Sequence, residues 1–590
     1  MKGNFETYRS RIDVISGLIM LAFLVLLVHL FDIQILQHSE LQKIAKTRSH
    51  IDKMVSGNRG LIFDRNFNVL TQNITRYTFW VNTLNPLENS EELISLFSET
   101  FGKPKSYYRN LLLPGKKYIP LAKDILEPEC LNILAAMPIQ GLNRNSSIER
   151  YYPYPNIASQ LIGYTHPDGS GATGVECSRN SILTGEKAKK VIQRNGSGEM
   201  TTSLYHDLPE YSNGANLQLT IDVELQSILY DELADAQDKS GAVLASGIIL
   251  DPYSGEILAM ATAPGFDLNH FGSYPIKNYM NDVLSTSYEP GSTFKIVTLA
   301  AALETGKVTP WKMYYCENGT YNLPNRVLHD HKKHGNLTVS EILSNSSNIG
   351  MSKIANDIGS ALIYNYARDF GFGVTTGIGL PSESPGCLKP YSEWTDYSGA
   401  SIAMGQEMSA TTLQMAMAYC VIANGGFLMM PRIIKNLYNT DGSAEMFPSR
   451  VIRQVVSSQT TDEIMQMLIK VVECGTGTNA RIDGYPVAGK TGTAQKFIDG
   501  KYSAQKYMSS FVGIFPADAP EYVCVVTVDS PKYGNHWGNA TAAPVVRKVF
   551  ERIINMGHGV IKTNESKRSF AEYDYNYPDD NQSTSLAEIN

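Results

Sequence analysis

Pro290-Gly291-Ser292-Thr293-Phe294-Lys295 places a serine hydroxyl and a lysine amine three residues apart. At helical pitch that is just short of one turn, so both side chains share a face and can touch. Pro290 and Gly291 interrupt the preceding structure, which sets Ser292 in the first turn of a helix. Exposed backbone N–H groups and the helix dipole there favour developing negative charge. A serine becomes a nucleophile when a base takes its proton, and a lysine is such a base only if burial or neighbours keep it neutral. Alone the pattern is common, and a capping serine followed by a surface lysine accounts for it.

Two later segments change its weight. Ser346-Ser347-Asn348 and Lys490-Thr491-Gly492-Thr493 follow in order at domain-scale spacing. The second sits in Pro486-Val487-Ala488-Gly489-Lys490-Thr491-Gly492-Thr493-Ala494. Glycines on both sides of Lys490-Thr491 suit a strand that another backbone approaches closely.

The chain of 590 residues is too long for one compact domain, and two or three are expected. A net charge of −7 argues against a nucleic-acid partner, which needs a concentrated basic surface. The seven cysteines are scattered without a CxxC pair, so no disulfide framework is indicated. Val14 to Leu30 is an apolar run broken by Ser16, Gly17 and His29. With Ile33, Ile35 and Leu36 it reaches the roughly 20 residues that cross a bilayer. Arg9 and Arg11 precede it, predicting a cytoplasmic N-terminus and an external remainder. No small-x-small cleavage site follows, so a retained single-pass anchor is expected rather than a signal peptide.

Gln37 to Lys53 reads as a helical stalk. Arg59-Gly60-Leu61-Ile62-Phe63-Asp64-Arg65 holds a short β-like run, with Asn66 to Asn68 as a turn. Residues 86–145 read as helical, with Lys103, Lys105, Arg109, Lys116 and Lys117 on a solvated face. The pattern changes near residue 215. Leu217 to Asp222 alternates, a helix follows to about Ala236, and Val243–Leu250 with Glu256–Ala261 makes a hairpin through Asp251-Pro252-Tyr253-Ser254-Gly255. A second hairpin joins Ser510–Phe515 to Tyr522–Val528, and a helix spans Ala542–Ile554. Between the hairpins most of Ser292–Met467 is helix and loop, an α/β pattern with segments distant in sequence sharing one sheet. Residues 557–590 read as a disordered tail. His329-Asp330-His331-Lys332-Lys333-His334, even with Cys316, matches no standard zinc spacing and reads as a polar loop.

Ser-x-x-Lys, Ser-x-Asn and Lys-Thr-Gly in this order form the signature of the penicillin-binding and serine β-lactamase group. The chain resembles a class B penicillin-binding protein from the anchor to about residue 556. Arg59-Gly60 with Asp64-Arg65, then Arg150-Tyr151-Tyr152-Pro153, then Gly171-Ala172-Thr173-Gly174-Val175-Glu176 resemble the family's three pedestal motifs. There Arg59, Gly60, Asp64, Arg65, Arg150, Gly171, Gly174 and Glu176 would be structural. The first motif departs from the family, reading Asn66-Phe67-Asn68 where an Asn-Gly-like turn is usual. Ser346-Ser347-Asn348 resembles the division and sporulation branch, since the elongation branch more often carries Ser-x-Asp.

The resemblance implies an α/β fold: a membrane-anchored elongated pedestal followed by a serine β-lactamase-like transpeptidase domain, with an antiparallel sheet flanked by helices. Its expected parts are a cytoplasmic tail (1–11), an anchor (12–36), the pedestal (37–214), the transpeptidase domain (215–556) and the tail (557–590). It also implies acyl transfer through a serine ester. Ser292 would attack the bond between two D-alanines, with Lys295 accepting its proton and Lys490 keeping Lys295 neutral by repulsion. Ser346 would relay a proton to the leaving group, and Asn348 would offer its amide to the substrate. Lys490, Thr491, Gly492 and Thr493 would bind the peptide along their strand and hold its carboxylate. The backbone N–H groups of Ser292 and Thr493 would form the oxyanion hole. No metal or cofactor is implied. Implied partners are peptidoglycan stem peptides, β-lactams, a SEDS-family glycosyltransferase, other division proteins and the cytoplasmic membrane. The competing functions are an elongation-type transpeptidase, a D,D-carboxypeptidase or β-lactamase, and a division scaffold or β-lactam sensor.

Overall fold

The apolar run folds as one helix, α1 (Gly3–Phe31), continued by a π-helical turn over Asp32–Leu36. Arg11–Leu36 is the one helix, among the described residues, long and apolar enough to cross a membrane, and its side chains are exposed. The computed structural model describes residues 3–83, 89–113, 118–139, 141–194, 200–202, 212–323, 326–498, 500–532, 534 and 536–557. The expected disordered tail therefore lies outside the described residues, apart from Gly557 at its start. Two units are present: the described residues up to Asn58 with those from Gly185 to Gly214, and Arg59–Thr184 with those from Ala215 onward.

In the first unit a helix over His38–Ser49 ends before Ile51, where the stalk was expected to continue. His50–Ser56 is instead a strand, paired antiparallel along Lys187–Arg194, which also pairs with Met200–Thr202. The helix stops because the strand partner, more than a hundred residues away in sequence, captures the backbone bonds of Ile51 to Val55.

In the second unit β1 (Gln72–Val81) is the centre of a three-stranded antiparallel sheet, flanked by β2 (Ile119–Leu126) and β3 (Leu142–Tyr151). Helices over Ser90–Phe101, Lys105–Leu111 and Leu131–Ala136 bury Phe97, Tyr108 and Ile133 with Phe79, Val81 and Ile119. The reading of 86–145 as helical is thus corrected: it holds β2 and the start of β3. Their pairing to β1 is long-range, and neither strand shows clean alternation, so no local signal marks them. Of the basic cluster, Arg109 forks onto Glu91, Lys105 donates to Ser95 and Lys103 lies over the Tyr107 ring. Lys116 and Lys117 lie outside the described residues.

The main sheet begins after α2 (Val223–Ser240), whose N-cap Asp222 accepts from the Glu224 and Leu225 N–H groups. Strands β4 (Leu244–Leu250) and β5 (Ile257–Ala263) form the first hairpin. Its Gly255 holds φ +70°, where a Cβ would lie 2.4 Å from Met430 O. Then come the helices α3 (Lys295–Glu304), α4 (Asn348–Ile358), α5 (Thr412–Ala423) and α6 (Ser458–Glu473). Strands β6 (Ala488–Ile498), β7 (Lys501–Phe515) and β8 (Tyr522–Asp529) complete an antiparallel sheet of order β5-β4-β8-β7-β6, before α7 (Gly538–Asn555). β4 pairs with β8, joining the two ends of the domain in one sheet. One face packs Leu229 and Leu233 of α2 and Val546 and Phe550 of α7 against Ile249, Val526 and Phe511. The other face carries Ile248 and Val525 into the larger core around α3 and α5. That arrangement leaves β6 on the edge, beside the start of α3.

Candidate active site

Pro290 leads into a 3-10 turn, Gly291–Phe294, that runs directly into α3. Gly291 holds φ +57° and donates its N–H to Gly405 O at 3.0 Å. Gly405 must itself be glycine, because a Cβ there would lie 2.3 Å from Gly291 O. Thr293 Oγ1 donates to Pro290 O at 2.8 Å, and Tyr419 OH donates to Thr293 O at 2.9 Å. The turn is held from several sides, with Ser292 half-buried within it.

Lys295 and Lys490 are both fully buried, and the hydroxyl of Ser346 lies between them. Lys295 Nζ donates to Ser346 O at 2.7 Å, Asn348 Oδ1 at 2.8 Å and Ser346 Oγ at 3.4 Å. Lys490 Nζ donates to Ser346 Oγ at 3.0 Å and to Thr491 O at 3.2 Å. Ser346 holds φ +58°, a strained conformation for a serine, fixed here because both its carbonyl and its hydroxyl are bound by lysines. Ser292 Oγ is not among the atoms that Lys295 Nζ bonds, so the two ends of the Ser-x-x-Lys motif share a turn without being joined.

Burial pushes the Lys295 amine down to about 7, and the Asp330 carboxylate opposes that fall. Burial also holds Lys490 well below the usual lysine range, and the neighbouring Lys295 charge pushes it further. Two ammonium groups sharing one hydroxyl in a dry site repel, so the pair does not keep both protons at neutral pH. The expected cause was repulsion by Lys490; for Lys295 the cause is desolvation.

Asp330 is the residue that motif reasoning passed over as part of a polar loop. Its Oδ1 accepts from the Asn348 and Ile349 N–H groups at 2.6 and 3.0 Å, and its Oδ2 accepts from Ser347 Oγ at 2.5 Å. Ser347 in turn caps α4, accepting from Gly350 N–H at 2.9 Å. One carboxylate at the N-terminus of α4 thereby sets the Ser346-Ser347-Asn348 loop and attracts the Lys295 charge. No spacing rule could have found it, since its partners come from another segment. Among the described residues no group of His, Cys, Asp and Glu is arranged to hold a metal.

Lys490-Thr491-Gly492-Thr493 runs along edge strand β6, in register with Val512-Phe511-Ser510-Ser509 of β7. Gly492 is enclosed: a Cβ would lie 2.3 Å from Ser510 Oγ and 3.0 Å from Pro290 O. Thr491 Oγ1 donates to Thr476 Oγ1 at 3.2 Å, drawing in the Gly475-Thr476-Gly477 loop. Thr493 Oγ1 accepts from Gly538 N–H at 3.0 Å. Trp394 packs against the core and donates to Lys389 O.

The pedestal-motif residues gather elsewhere in the same unit. Glu176 is fully buried, with Arg59 Nε at 2.5 Å on one oxygen and Arg150 Nε at 2.7 Å on the other. Arg150 also donates to Gly60 O at 2.7 Å. Gly171 has no room for a side chain, since a Cβ would lie 1.8 Å from Glu176 O, and Gly174 holds φ +57°. Asp64 is buried and accepts from the Asn66 and Asn68 N–H groups, which holds Phe67 at φ +64°. The turn that departs from the family pattern is therefore made without glycine. Arg65 reaches Glu256 at 3.1 Å, where Arg432 also binds at 2.6 Å, so this motif meets the hairpin of the main sheet.

A hydroxyl on a helix-start turn, two buried amines sharing a second hydroxyl, and a strand at the sheet edge are the groups that serine acyl transfer requires. The family models agree. Residues 245–551 match the penicillin binding protein transpeptidase domain and residues 54–219 the penicillin-binding protein dimerisation domain. The chain belongs to the penicillin-binding protein family, in its class B. Among curated relatives it is 32% identical to the stage V sporulation protein D of Bacillus subtilis, over 93% of this chain and 86% of that one. It is 31% identical to a probable peptidoglycan D,D-transpeptidase, PbpC, of Pseudomonas aeruginosa, over 90% and 93%. Among solved structures it is similar to penicillin binding protein 2X of Streptococcus thermophilus, with a TM-score of 0.77, 26% identity and coverage of 86% and 80%. Penicillin binding protein 3 of a Mycobacterium species, complexed with aztreonam, gives 0.68, 29%, and coverage of 86% and 97%.

Proposed function

We propose that this chain is a membrane-anchored peptidoglycan D,D-transpeptidase that works through a Ser292 acyl-enzyme and is acylated by β-lactams. The observation that carries the reading is the Ser346 hydroxyl held between two buried lysines. A neutral Lys295 has two hydrogens and one lone pair. Its two short bonds, to Ser346 O and Asn348 Oδ1, use the hydrogens and leave the lone pair for the Ser292 proton. The substrate's terminal carboxylate, arriving at Lys490, Thr491 and Thr493, stabilises charge on Lys490. That charge on Lys490 then adds to the desolvation that already disfavours a proton on Lys295. Ser292 Oγ then attacks the D-alanyl carbonyl. Ser346 gives its proton to the departing D-alanine amine and is reprotonated by Lys295, which so returns the proton taken from Ser292, and Asn348 orients the substrate. The N–H groups of Ser292 and Thr493 hold the oxyanion, and the donor peptide lies along the edge of β6 past Gly492. The amine of a second stem peptide resolves the ester and forms the cross-link.

Labelling with a fluorescent penicillin tests the assignment. The wild-type chain labels and Ser292→Ala does not; equal labelling of the two removes Ser292 from the reaction. The Ser346-Ser347-Asn348 motif and the sporulation-protein relative favour a septal role, in division or spore formation. Arg9 and Arg11 before the anchor favour a cytoplasmic N-terminus and an extracytoplasmic catalytic domain, and the family resemblance suggests a SEDS-family glycosyltransferase as partner. Depletion of the chain separates the branches. Filaments or failed spore septa support the septal role, and rounded cells support elongation.

A further inference from the structure

The Gly475-Thr476-Gly477 loop lies outside the three motifs, yet Thr476 is bonded to two of them. Its N–H donates to Ser344 O at 3.1 Å, two residues before Ser346. Its Oγ1 accepts from Thr491 Oγ1 at 3.2 Å, on the edge strand β6. The glycines on either side let it reach in. A Cβ at Gly475 would lie 2.5 Å from Ser344 O, and one at Gly477 would lie 3.2 Å from the Phe511 ring. Gly477 N–H donates to Val471 O at 2.9 Å, which ties the loop back to α6.

One donor in this pair of hydroxyls is unspent. Each hydroxyl carries one hydrogen and two lone pairs. Thr491 Oγ1 accepts from Lys490 Nζ at 3.4 Å and spends its hydrogen on Thr476. Among the described residues Thr476 Oγ1 meets no acceptor for its own hydrogen. Thr491 is buried and Thr476 is half-buried, so the spare hydrogen belongs to the member of the pair that solvent reaches. Thr493 repeats the arrangement. It shares a face of β6 with Thr491, because side chains alternate along a strand. Its Oγ1 accepts from Gly538 N–H at 3.0 Å, and among the described residues its hydrogen also meets no acceptor. Beside the buried Lys490 amine the strand therefore offers hydroxyl donors without matching acceptors, which suits an anion with two oxygens.

We propose that Thr476 is a specificity-determining residue whose hydroxyl donates to the terminal carboxylate of the bound peptide or β-lactam, alongside Lys490 and Thr493. This inference rests on the transpeptidase reading above and adds to it a group from outside the three motifs. The Thr476 N–H, held on Ser344 O, keeps the carboxylate site in step with the Ser346 loop. A hydroxyl so placed selects a carboxylate over its ester, because a bond to a charged acceptor is roughly twice as strong as one to a neutral acceptor.

The test measures acylation rates of the purified full chain with a penicillin and with the methyl ester of the same penicillin. Thr476→Val keeps the branched shape and the N–H but loses the hydroxyl. It is expected to lower the rate with the free carboxylate about tenfold, the loss of one hydrogen bond to a charged group. The ester, slower in the wild type, changes little. Thr476→Ser restores the hydroxyl and brings the rate with the free carboxylate back near wild type. If Thr476→Val does not fold, Thr476→Ala carries the same comparison. An equal fall on both compounds marks a merely structural role and overturns the inference. So does an unchanged rate with the free carboxylate, or a serine variant as slow as the valine one. In each of these cases acylation of the wild type at Ser292 leaves the transpeptidase reading standing. A wild-type chain that no penicillin acylates at Ser292 removes both.

Discussion

Asp330 and Lys295 are coupled by charge, and that coupling has a sign. If Lys295 is the base of the proposed mechanism it acts when neutral, so penicillin acylation is expected to rise with pH through about 7 and level off above it. Asp330 attracts the Lys295 proton and so raises its pKa. Asp330→Asn keeps an oxygen for the Asn348 and Ile349 N–H groups but removes that attraction, so the profile moves to lower pH. Acylation rates measured from pH 5.5 to 9 check this; an unmoved or upward-moved midpoint contradicts it. Gly492→Ala is a steric test at the same scale. Its methyl needs the space of Ser510 Oγ and Pro290 O, so it displaces the nucleophile turn from β6. Acylation is expected to fall by about 10²–10³, the loss typical of a misplaced oxyanion donor. The folded fraction, read by circular dichroism, stays near wild type.

The elements differ in what fails when they are cut. Glu176→Ala leaves Arg59 and Arg150 buried without their carboxylate, which costs about 3–5 kcal/mol. A melting temperature lower by several degrees is expected, with an unchanged acylation rate for the protein that remains folded. Helix α5 tests a smaller term. Thr411 and Gln414 form a reciprocal cap at its start, so Thr411→Ala costs about 1 kcal/mol in urea titration. Elements such as β4, β5, β8 and α7 were legible because alternation, turn residues and helical spacing are local properties. The strand at His50–Ser56, together with β2 and β3, was not, because pairing to a distant strand overrode weak local preference.

For the whole molecule, the anchor and the chemistry are separable predictions. Removing residues 1–36 deletes the one membrane-length helix among the described residues and none of the residues around Ser292. The shortened chain is expected to leave the membrane fraction while retaining penicillin acylation; loss of labelling in folded protein would tie catalysis to the anchor. The order of three short motifs along the sequence was enough to single out Ser292, Lys295, Ser346, Lys490 and the strand from Lys490 to Thr493, the groups to which the proposed chemistry is assigned. That order carries chemistry because residue type and helical or strand spacing set which groups can share a face. Only the tertiary structure decided the electrostatics. It buried both lysines, set Ser346 between them and brought Asp330 from a separate loop to the start of α4. Desolvation and long-range contact depend on what surrounds a group, and no stretch of sequence contains its own surroundings.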